Sequence, residues 1–455
     1  MKDGSNDLKS TTNAAPIGPL IRPFQEFAAH ETSGGILLLL CTLVALAWVN
    51  SPWADSYEAL WHTRVSLGIA GHALDGDLHF WVNDALMAIF FFVVGLEIKR
   101  ELLVGELASR RQAALPILGA MGGVLAPALI YTAVNFGKAG AAGWGIPMAT
   151  DIAFVMGLMA LLGGRIPLGL KVFLTALAIV DDIAAVLVIA LFYTVQIAWL
   201  GVGVAALSVL LLFAANRMGV RHPLPYALLG IILWLAVLHS GVHPTIAGVA
   251  LAMTIPSRTE LNAREFLQHG RGILEHFERN FDKQKGVMTD EGQQVAIAAL
   301  EDACEKVQPP LYRLEETLHP WVTFLVMPLF ALANAGVAFS GGIVQHLADP
   351  ITVGVALGLL LGKPIGIGLA SWLAVKSGAA ALPSGVSWNH IHGAAWLGGI
   401  GFTMSLFIGS LAFLNPEPLA AAKFGILAGS LLAGIVGSAI LLRDGGQDAG
   451  SSANG

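Results

Sequence analysis

Apolar residues in this chain come in long unbroken runs separated by short polar stretches, rather than alternating or recurring on one helical face. A hydrocarbon core of roughly 30 Å is crossed by about 20 apolar residues in a helix. Runs near that length fall at 34–50, 83–103, 113–134, 141–162, 168–193, 199–216, 223–238, 241–256, 320–340, 352–374, 391–412 and 421–442. The pattern predicts an all-α membrane protein of about twelve transmembrane helices. It divides the chain into an N-terminal tail (1–30), helices 1 to 8 (31–255), a polar insertion (256–318), helices 9 to 12 (319–442) and a C-terminal tail (443–455).

Two polar pieces carry their own signals. Within the loop 52–79, Arg64-Val-Ser-Leu-Gly-Ile alternates, Ala70-Gly71 follows, and His72-Ala-Leu resumes. This reads as a small β-hairpin. The insertion 256–318 predicts helical stretches near 262–280 and 293–307, either a solvated excursion or a regulatory surface.

Composition agrees with a lipid-solvated chain. Of 455 residues, 55% are hydrophobic and 12% charged, with mean hydropathy +0.70, whereas soluble domains carry about 25% charged residues. The net charge is -6, but 12 of the 31 acids fall in 256–318. No basic stripe suggests nucleic acid. Cys41 and Cys304 form neither a disulfide framework nor a metal-site spacing. Because further spans follow it, the first run is expected to be a retained helix rather than a cleaved signal.

Cationic residues set the orientation, since Lys and Arg in short loops mark the cytoplasmic side. With the N-terminus inside, 21 of 25 Lys and Arg residues fall on one side. Only Arg64, Lys138 and Lys423 fall outside, and Lys363 lies within a span. The expectation is an inner-membrane protein with both termini cytoplasmic and the hairpin periplasmic, and the family resemblance set out below implies that the membrane is bacterial.

An ionisable residue at mid-bilayer is costly and points to function. Asp181 and Asp182 lie about 13 residues from either end of their span, some 20 Å at about 1.5 Å per residue. Lys363 and Asp151 are central in two other spans. Four such charges cost roughly 10–14 kcal/mol on insertion scales. Buried ion pairs that merely stitch helices together explain one Asp–Lys pair, but not a surplus of two carboxylates. A hard cation such as sodium prefers carboxylate, hydroxyl and carbonyl oxygens. Beside a like charge in a dry site, a carboxylate can hold either a proton or such an ion, and competition for the site is then exchange. Adjacent helical residues point about 100° apart, so one aspartate can lean on Lys363 while the other faces the ion.

Two spans are interrupted at matching places. Gly143-Trp-Gly-Ile-Pro147-Met-Ala-Thr150-Asp151 punctuates one, and Gly398-Gly399-Ile-Gly401-Phe-Thr403 the other. Proline removes a backbone donor and glycine weakens a helix. Each break is the second span of a triplet, 113–193 and 352–442. That arrangement is expected of inverted-topology repeats with two discontinuous crossing helices. Asp151 suits the N-terminal half-helix ends, and Lys363 the C-terminal ends. Glycines serving helix packing alone remain the alternative for the second break.

The ordered motifs Trp81-Val-Asn-Asp-Ala-Leu-Met, Val94-Gly-Leu-Glu-Ile-Lys-Arg-Glu, Pro147-Met-Ala-Thr-Asp-Ile-Ala-Phe, Ala178-Ile-Val-Asp-Asp, Ser240-Gly-Val-His, His319-Pro-Trp, Gly362-Lys-Pro and Gly399-Ile-Gly-Phe-Thr-Met-Ser closely resemble the NhaA family of bacterial sodium/proton antiporters, over almost the whole length. The resemblance implies that Asp181 and Asp182 bind ion and proton, with Thr150 in the same site. It implies that Thr150 and Asp151 mark the crossing of unwound chains and that Lys363 pairs with an aspartate. Gly399, Gly401 and Thr403 mark the second break. The family's cytoplasmic pH-sensing cluster matches Glu97, Arg100, Glu101, Arg313 and Glu315. The resemblance further implies electrogenic exchange, no cofactor, and a homodimer held by hairpin 64–74. Two departures stand out: the insertion 256–318 enters just before the pH-sensing stretch, and Ile183-Ala-Ala replaces the family's usual Leu-Gly-Ala.

His243, followed by Pro244, is either a helix-end histidine or, by the resemblance, a tuner of pH response. Asp84 either caps a span end or lines a periplasmic path. Glu97 and Arg100, i and i+3 on one helix, could be a plain surface pair. Two rival functions share some features. An intramembrane aspartyl protease also buries two aspartates, but from two helices and with a Gly-x-Gly-Asp motif missing here. A passive cation channel, the alternative function, also accommodates broken helices, but an intramembrane lysine beside an acid pair suits proton coupling better than free conduction.

Overall fold

The computed structural model describes residues 33–69, 72–163, 166–194, 197–279, 290–339 and 348–451. The N-terminal tail, Ala70, Gly71 and Arg165 lie outside these. In chain order the elements are α1 (Ser33–Val49), α2 (Ala54–Trp61), β1 (Arg64–Ile69), β2 (His72–Asp77), α3 (Leu78–Val104) and α4 (Arg110–Asn135). A 3-10 stretch, Ala139–Met148, then leads into α5 (Ile152–Leu162), α6 (Leu168–Phe192), α7 (Trp199–Arg217), α8 (Pro223–Leu238) and α9 (Thr245–Thr254). The insertion holds α10 (Ala263–Arg279) and α11 (Glu291–Val307), and the remainder is α12 (Pro310–Asn334), α13 (Pro350–Lys376), α14 (Trp388–Leu397), α15 (Phe402–Ala412) and α16 (Pro416–Ser451).

Among the described residues, seven helices are long and apolar enough to cross a membrane. Three helix pairs qualify jointly across a bend, and α8 and α9 are shorter apolar helices. The chain is a multi-pass membrane protein, and its outer surface shows why. Helix α7 leaves Trp199, Leu200 and Leu210 at 77%, 85% and 66% exposure. Such a belt is tolerable only against hydrocarbon.

Without a hydrophobic drive between helices in lipid, close backbone approach holds the bundle. Helices α4 and α13 pack through Gly122 and Gly366, where a Cβ on either would lie 2.1 Å from the other's carbonyl oxygen. This contact joins the first helix of one triplet to the first helix of the other. It also sets Lys363, which follows a wide π turn at Gly358–Gly362, into the interior.

The expected hairpin forms, with a register that runs from Arg64 opposite Asp77 to Ile69 opposite His72. The short helix α2 before it was not expected. It is fixed from a distance, Tyr57 donating its hydroxyl to the Leu332 and Ala333 carbonyls. The ninth span starts at Pro310, ten residues before the expected 320, because α12 continues through Pro320 by way of a π turn at Val322–Val326. The last helix likewise runs past 442 to Ser451. The insertion's two helices lie where expected, and its base is pinned by the Glu260 and Leu261 amides, which both donate to the Lys306 carbonyl at 2.9 and 3.1 Å.

Candidate functional site

The two interrupted spans meet each other at their breaks. The first bends by 41° between Met148 and Ile152, the second by 44° between Leu397 and Phe402. At the meeting point the chains bond directly. The Asp151 amide donates to the Ile400 carbonyl at 2.7 Å, and the Thr150 hydroxyl donates to the Gly398 carbonyl at 2.9 Å. A Cβ on Gly399 would lie 2.5 Å from the Leu359 carbonyl oxygen, so glycine is required for α13 to pass this close.

One carboxylate serves two helix starts. Asp151 Oδ1 caps α5 by accepting from the Phe154 amide at 3.0 Å. Its Oδ2 accepts from the Thr403 amide at 3.0 Å and from the Thr403 hydroxyl, in the first turn of α15. The N-terminal ends of α5 and α15 carry partial positive charge, and a single buried anion lies between them. Thr403 therefore belongs to the half-helix after the second break, not to the break itself, which holds Gly399 and ends at Gly401.

Helix α6 runs unbroken past this crossing and presents the acid pair, with Asp181 and Asp182 0% and 1% exposed. Lys363, 0% exposed, is ion-paired with Asp181 Oδ2. The same oxygen lies 2.7 Å from the Thr150 hydroxyl, whose one hydrogen is shared between it and the Gly398 carbonyl, and Lys363 Nζ donates to Thr150 Oγ1 at 3.0 Å. Lys363 thus bonds a hydroxyl and a carboxylate, whereas the expectation set it against the C-terminal half-helix ends. Thr150, by contrast, reaches both the Gly398 carbonyl and the acid pair.

Asp182 differs from every other charge here. Among the described residues it has no cation within ion-pair distance, and its Oδ1 is buried without a hydrogen-bond partner, as is Asp181 Oδ1. Asp151 is matched by two helix ends and Asp181 by an ammonium, so the uncompensated group is Asp182. The open donors are two carboxylate oxygens beside a crossing of unwound chains, a set suited to a small hard cation or a proton. Among the described residues no cluster of three or more His, Cys, Asp or Glu side chains could hold a metal.

The outlying candidates are partly brought together. Arg100 pairs with Glu315 at 2.9 Å and with Glu101 at 3.3 Å, and Glu97 lies within electrostatic range of both Arg100 and Glu315. Arg313 points elsewhere, to Glu305 of the insertion at 2.7 Å. His243 Nε2 is 3.5 Å from Asp84 Oδ1, its Nδ1 is 2.8 Å from the Thr245 hydroxyl, and its ring meets Phe407 edge-on.

Some supporting residues were not singled out from the sequence, although Ser405 and Lys99 fall within the ordered motifs. Ser430 Oγ accepts from the Gly401 and Phe402 amides, both at 3.2 Å, completing the start of α15. Ser405 donates to the Ile146 carbonyl at 2.7 Å, tying α15 to the 3-10 half-span. Lys99 donates to the Met253 and Ile255 carbonyls and closes the end of α9. The doublet's neighbour Lys363 had a signal, an isolated charge in an apolar run. A serine in such a run carries no charge to mark it.

Comparison with known proteins gives a consistent result. Residues 25–441 match the family profile described as Na+/H+ antiporter 1. Proteins named Na(+)/H(+) antiporter NhaA are 52% identical in Koribacter versatilis, over 95% of this chain and 94% of that protein. In Oleidesulfovibrio alaskensis the identity is 53%, over 94% and 95%. In Syntrophobacter fumaroxidans it is 49%, over 92% and 90%.

Proposed function

The chain belongs to the Na+/H+ antiporter 1 family, and from that premise we propose that it exchanges sodium ions for protons at the Asp181–Asp182 doublet. The observation that carries the reading is the asymmetry of the doublet. Lys363 and Thr150 hold Asp181, while Asp182 is buried beside them with an unpartnered oxygen. A buried charge without a partner is costly. Asp182 is therefore stable only when a proton or a metal ion occupies it, and never with both. Sodium leaving on one side and protons taken up from the other follow from this competition once the site opens to the two sides in turn.

The protein is a secondary transporter in which sodium and protons are cargo. It extrudes sodium, and lithium as a chemically similar hard cation, from the cytoplasm across the bacterial inner membrane. More protons than sodium ions move per cycle, and two acidic groups at the site are compatible with such electrogenic exchange. Counting each bent pair and each short apolar helix as one crossing gives about twelve spans. The charge distribution then supports cytoplasmic termini, and the two triplets joined at Gly122 and Gly366 suit inverted repeats. The tails, the two membrane-embedded segments and the insertion 256–318 form the division of the chain. Hairpin 64–74 holds a homodimer. Arg100, Glu101 and Glu315, with Glu97 beside them, regulate exchange by pH, with Arg313 and His243 as further contributors.

Everted vesicles carrying the protein and a pH-gradient dye test this reading. Added sodium should dissipate an imposed gradient, and the Asp182→Asn variant, inserted at normal levels, should leave it intact. Normal sodium-driven proton movement in that variant would refute the assignment. A cation channel would instead pass current without obligatory proton movement.

A further inference from the structure

Helices α13 and α14 are joined by the connection 377–387, and a groove of about 600 Å³ opens between them. Each helix turns one stripe toward it. Leu361, Ile365, Leu369 and Trp372 line it from α13, and Lys376 continues that stripe. Trp388, His392 and Trp396 line it from α14, at intervals of four. A Cβ on Gly368 would meet only His392 Cε1, at 4.0 Å, so the middle of the groove is open.

Apolar side chains alone need no explanation on a surface that faces lipid. Three indoles and an imidazole do, because each ring carries a polar N–H. Among the described residues none of the four rings has a hydrogen-bond partner in the protein, and hydrocarbon supplies no acceptor. One end of the groove is also cationic. Lys376 lies in the last turn of α13, its Nζ 4.3 Å from the centre of the Trp372 ring. No acidic residue occurs between Asp349 and Glu417, so neither helix supplies it a counter-ion.

The other end of the groove lies against the turn that places Lys363. Leu360 and Leu361 of the π turn Gly358–Gly362, with Pro364 just after it, line the groove, while Lys363 itself is buried in the interior. From Leu361 to Trp372 is roughly 16 Å at about 1.5 Å per residue, close to the roughly 15 Å depth of one leaflet.

We propose that this groove binds one anionic phospholipid of the cytoplasmic leaflet. Its phosphate meets Lys376, and its glycerol ester carbonyls accept from the ring N–H groups around Trp388 and His392. One acyl chain runs along Leu369 and Ile365 to the π turn and braces it. The lipid thereby supports transport without touching an ion. Binding stands apart from the exchange reading, and only the effect on transport rests on it.

Tryptophan quenching tests the site. Delipidated protein in detergent is titrated with phosphatidylglycerol brominated on its acyl chains. Quenching should saturate, and phosphatidylcholine brominated alike should need about fivefold more. Replacing Trp372, Trp388 and Trp396 together by Phe should remove the saturable part. Equal quenching by the two lipids, or a saturable part that survives the triple variant, would overturn the proposal. Gly368→Phe fills the open middle and should abolish saturable quenching. Lys376→Glu, exposed at the helix end, should weaken phosphatidylglycerol by at least about fivefold and keeps the test alive if the phenylalanine prevents folding. Parent-like binding in either folded variant would overturn the site. Shielding of the three rings that follows protein concentration rather than lipid would assign the groove to a second copy, also against the proposal. In phosphatidylcholine liposomes, added phosphatidylglycerol should speed sodium-driven proton movement at least twofold in the parent and leave Lys376→Glu at its lipid-free rate. An equal response in both would remove the brace. A parent that binds the lipid but moves no protons with sodium would sink the antiport reading and leave the lipid site standing.

Discussion

Lys363 is ion-paired with Asp181 and leaves Asp182, the next residue along α6, without a cation. The two carboxylates therefore do different work although they share a helix and a depth. Replacing Asp181 by Asn should leave a buried ammonium unpaired, at a cost of about 3–5 kcal/mol. Thermal unfolding in detergent should show a large drop for Asp181→Asn. The double variant with Lys363→Met should recover most of the stability without recovering exchange. If Asp181→Asn unfolds at the parent temperature, the pairing is not what holds Lys363 in place.

Asp151 should tolerate little change, because it accepts bonds from the starts of both half-helices. Asp151→Ala removes a cap worth about 1 kcal/mol at each helix start, together with the anion that offsets two positive helix ends. The expected result is a stability loss of about 2–4 kcal/mol, with Asp151→Asn milder because the amide oxygen still accepts. Equal melting of the two variants would argue against the shared cap.

Gly399 and Gly203 make a matched pair of alanine tests. A Cβ on Gly399 would strike the Leu359 carbonyl oxygen at 2.5 Å, whereas nothing lies within 4 Å of one on Gly203. Gly399→Ala should cost about 1–3 kcal/mol by overpacking and slow exchange. Gly203→Ala should be neutral or stabilising by up to about 1 kcal/mol, as for a glycine replaced inside a helix. Both are read by thermal unfolding and the vesicle assay together.

The Arg100–Glu315 pair joins α3 to the start of α12 at 2.9 Å. If this contact regulates exchange, Arg100→Glu should shift the pH profile of sodium-driven proton movement, and adding Glu315→Arg should shift it back. Profiles that move independently in the two single variants, with no recovery in the double, would separate the pair from regulation.

Deleting residues 64–77 removes the hairpin without touching the crossing. The expected product is a monomer by light scattering in detergent that still exchanges sodium for protons. A dimer that survives the deletion would place the interface elsewhere.

Much of this was legible in the chain itself, for a definite reason. Lipid cannot satisfy a backbone amide or a charge, so the spans had to be apolar and largely helical, and every charge within one had to stand out. Asp151, Asp181, Asp182 and Lys363 were visible on that ground alone, and the Pro147 and glycine punctuation marked both breaks. Long-range contacts were not legible. Helix α2 depends on Tyr57 reaching carbonyls far along the chain, and α12 passes through Pro320 only by widening a turn. The meeting of His243 with Asp84 joins two residues that no periodicity relates. Nor could spacing alone say which aspartate Lys363 would choose.

The pinned base of the insertion has a practical side. Everything from Asn262 to Glu305 departs and returns at the Lys306 carbonyl, steadied by the Arg313–Glu305 and Arg221–Glu260 pairs. Such a pinch makes the segment a detachable handle. A short turn could bridge the gap left by its excision, and a fluorescent reporter or affinity domain could be spliced there while the helices below keep their spacing.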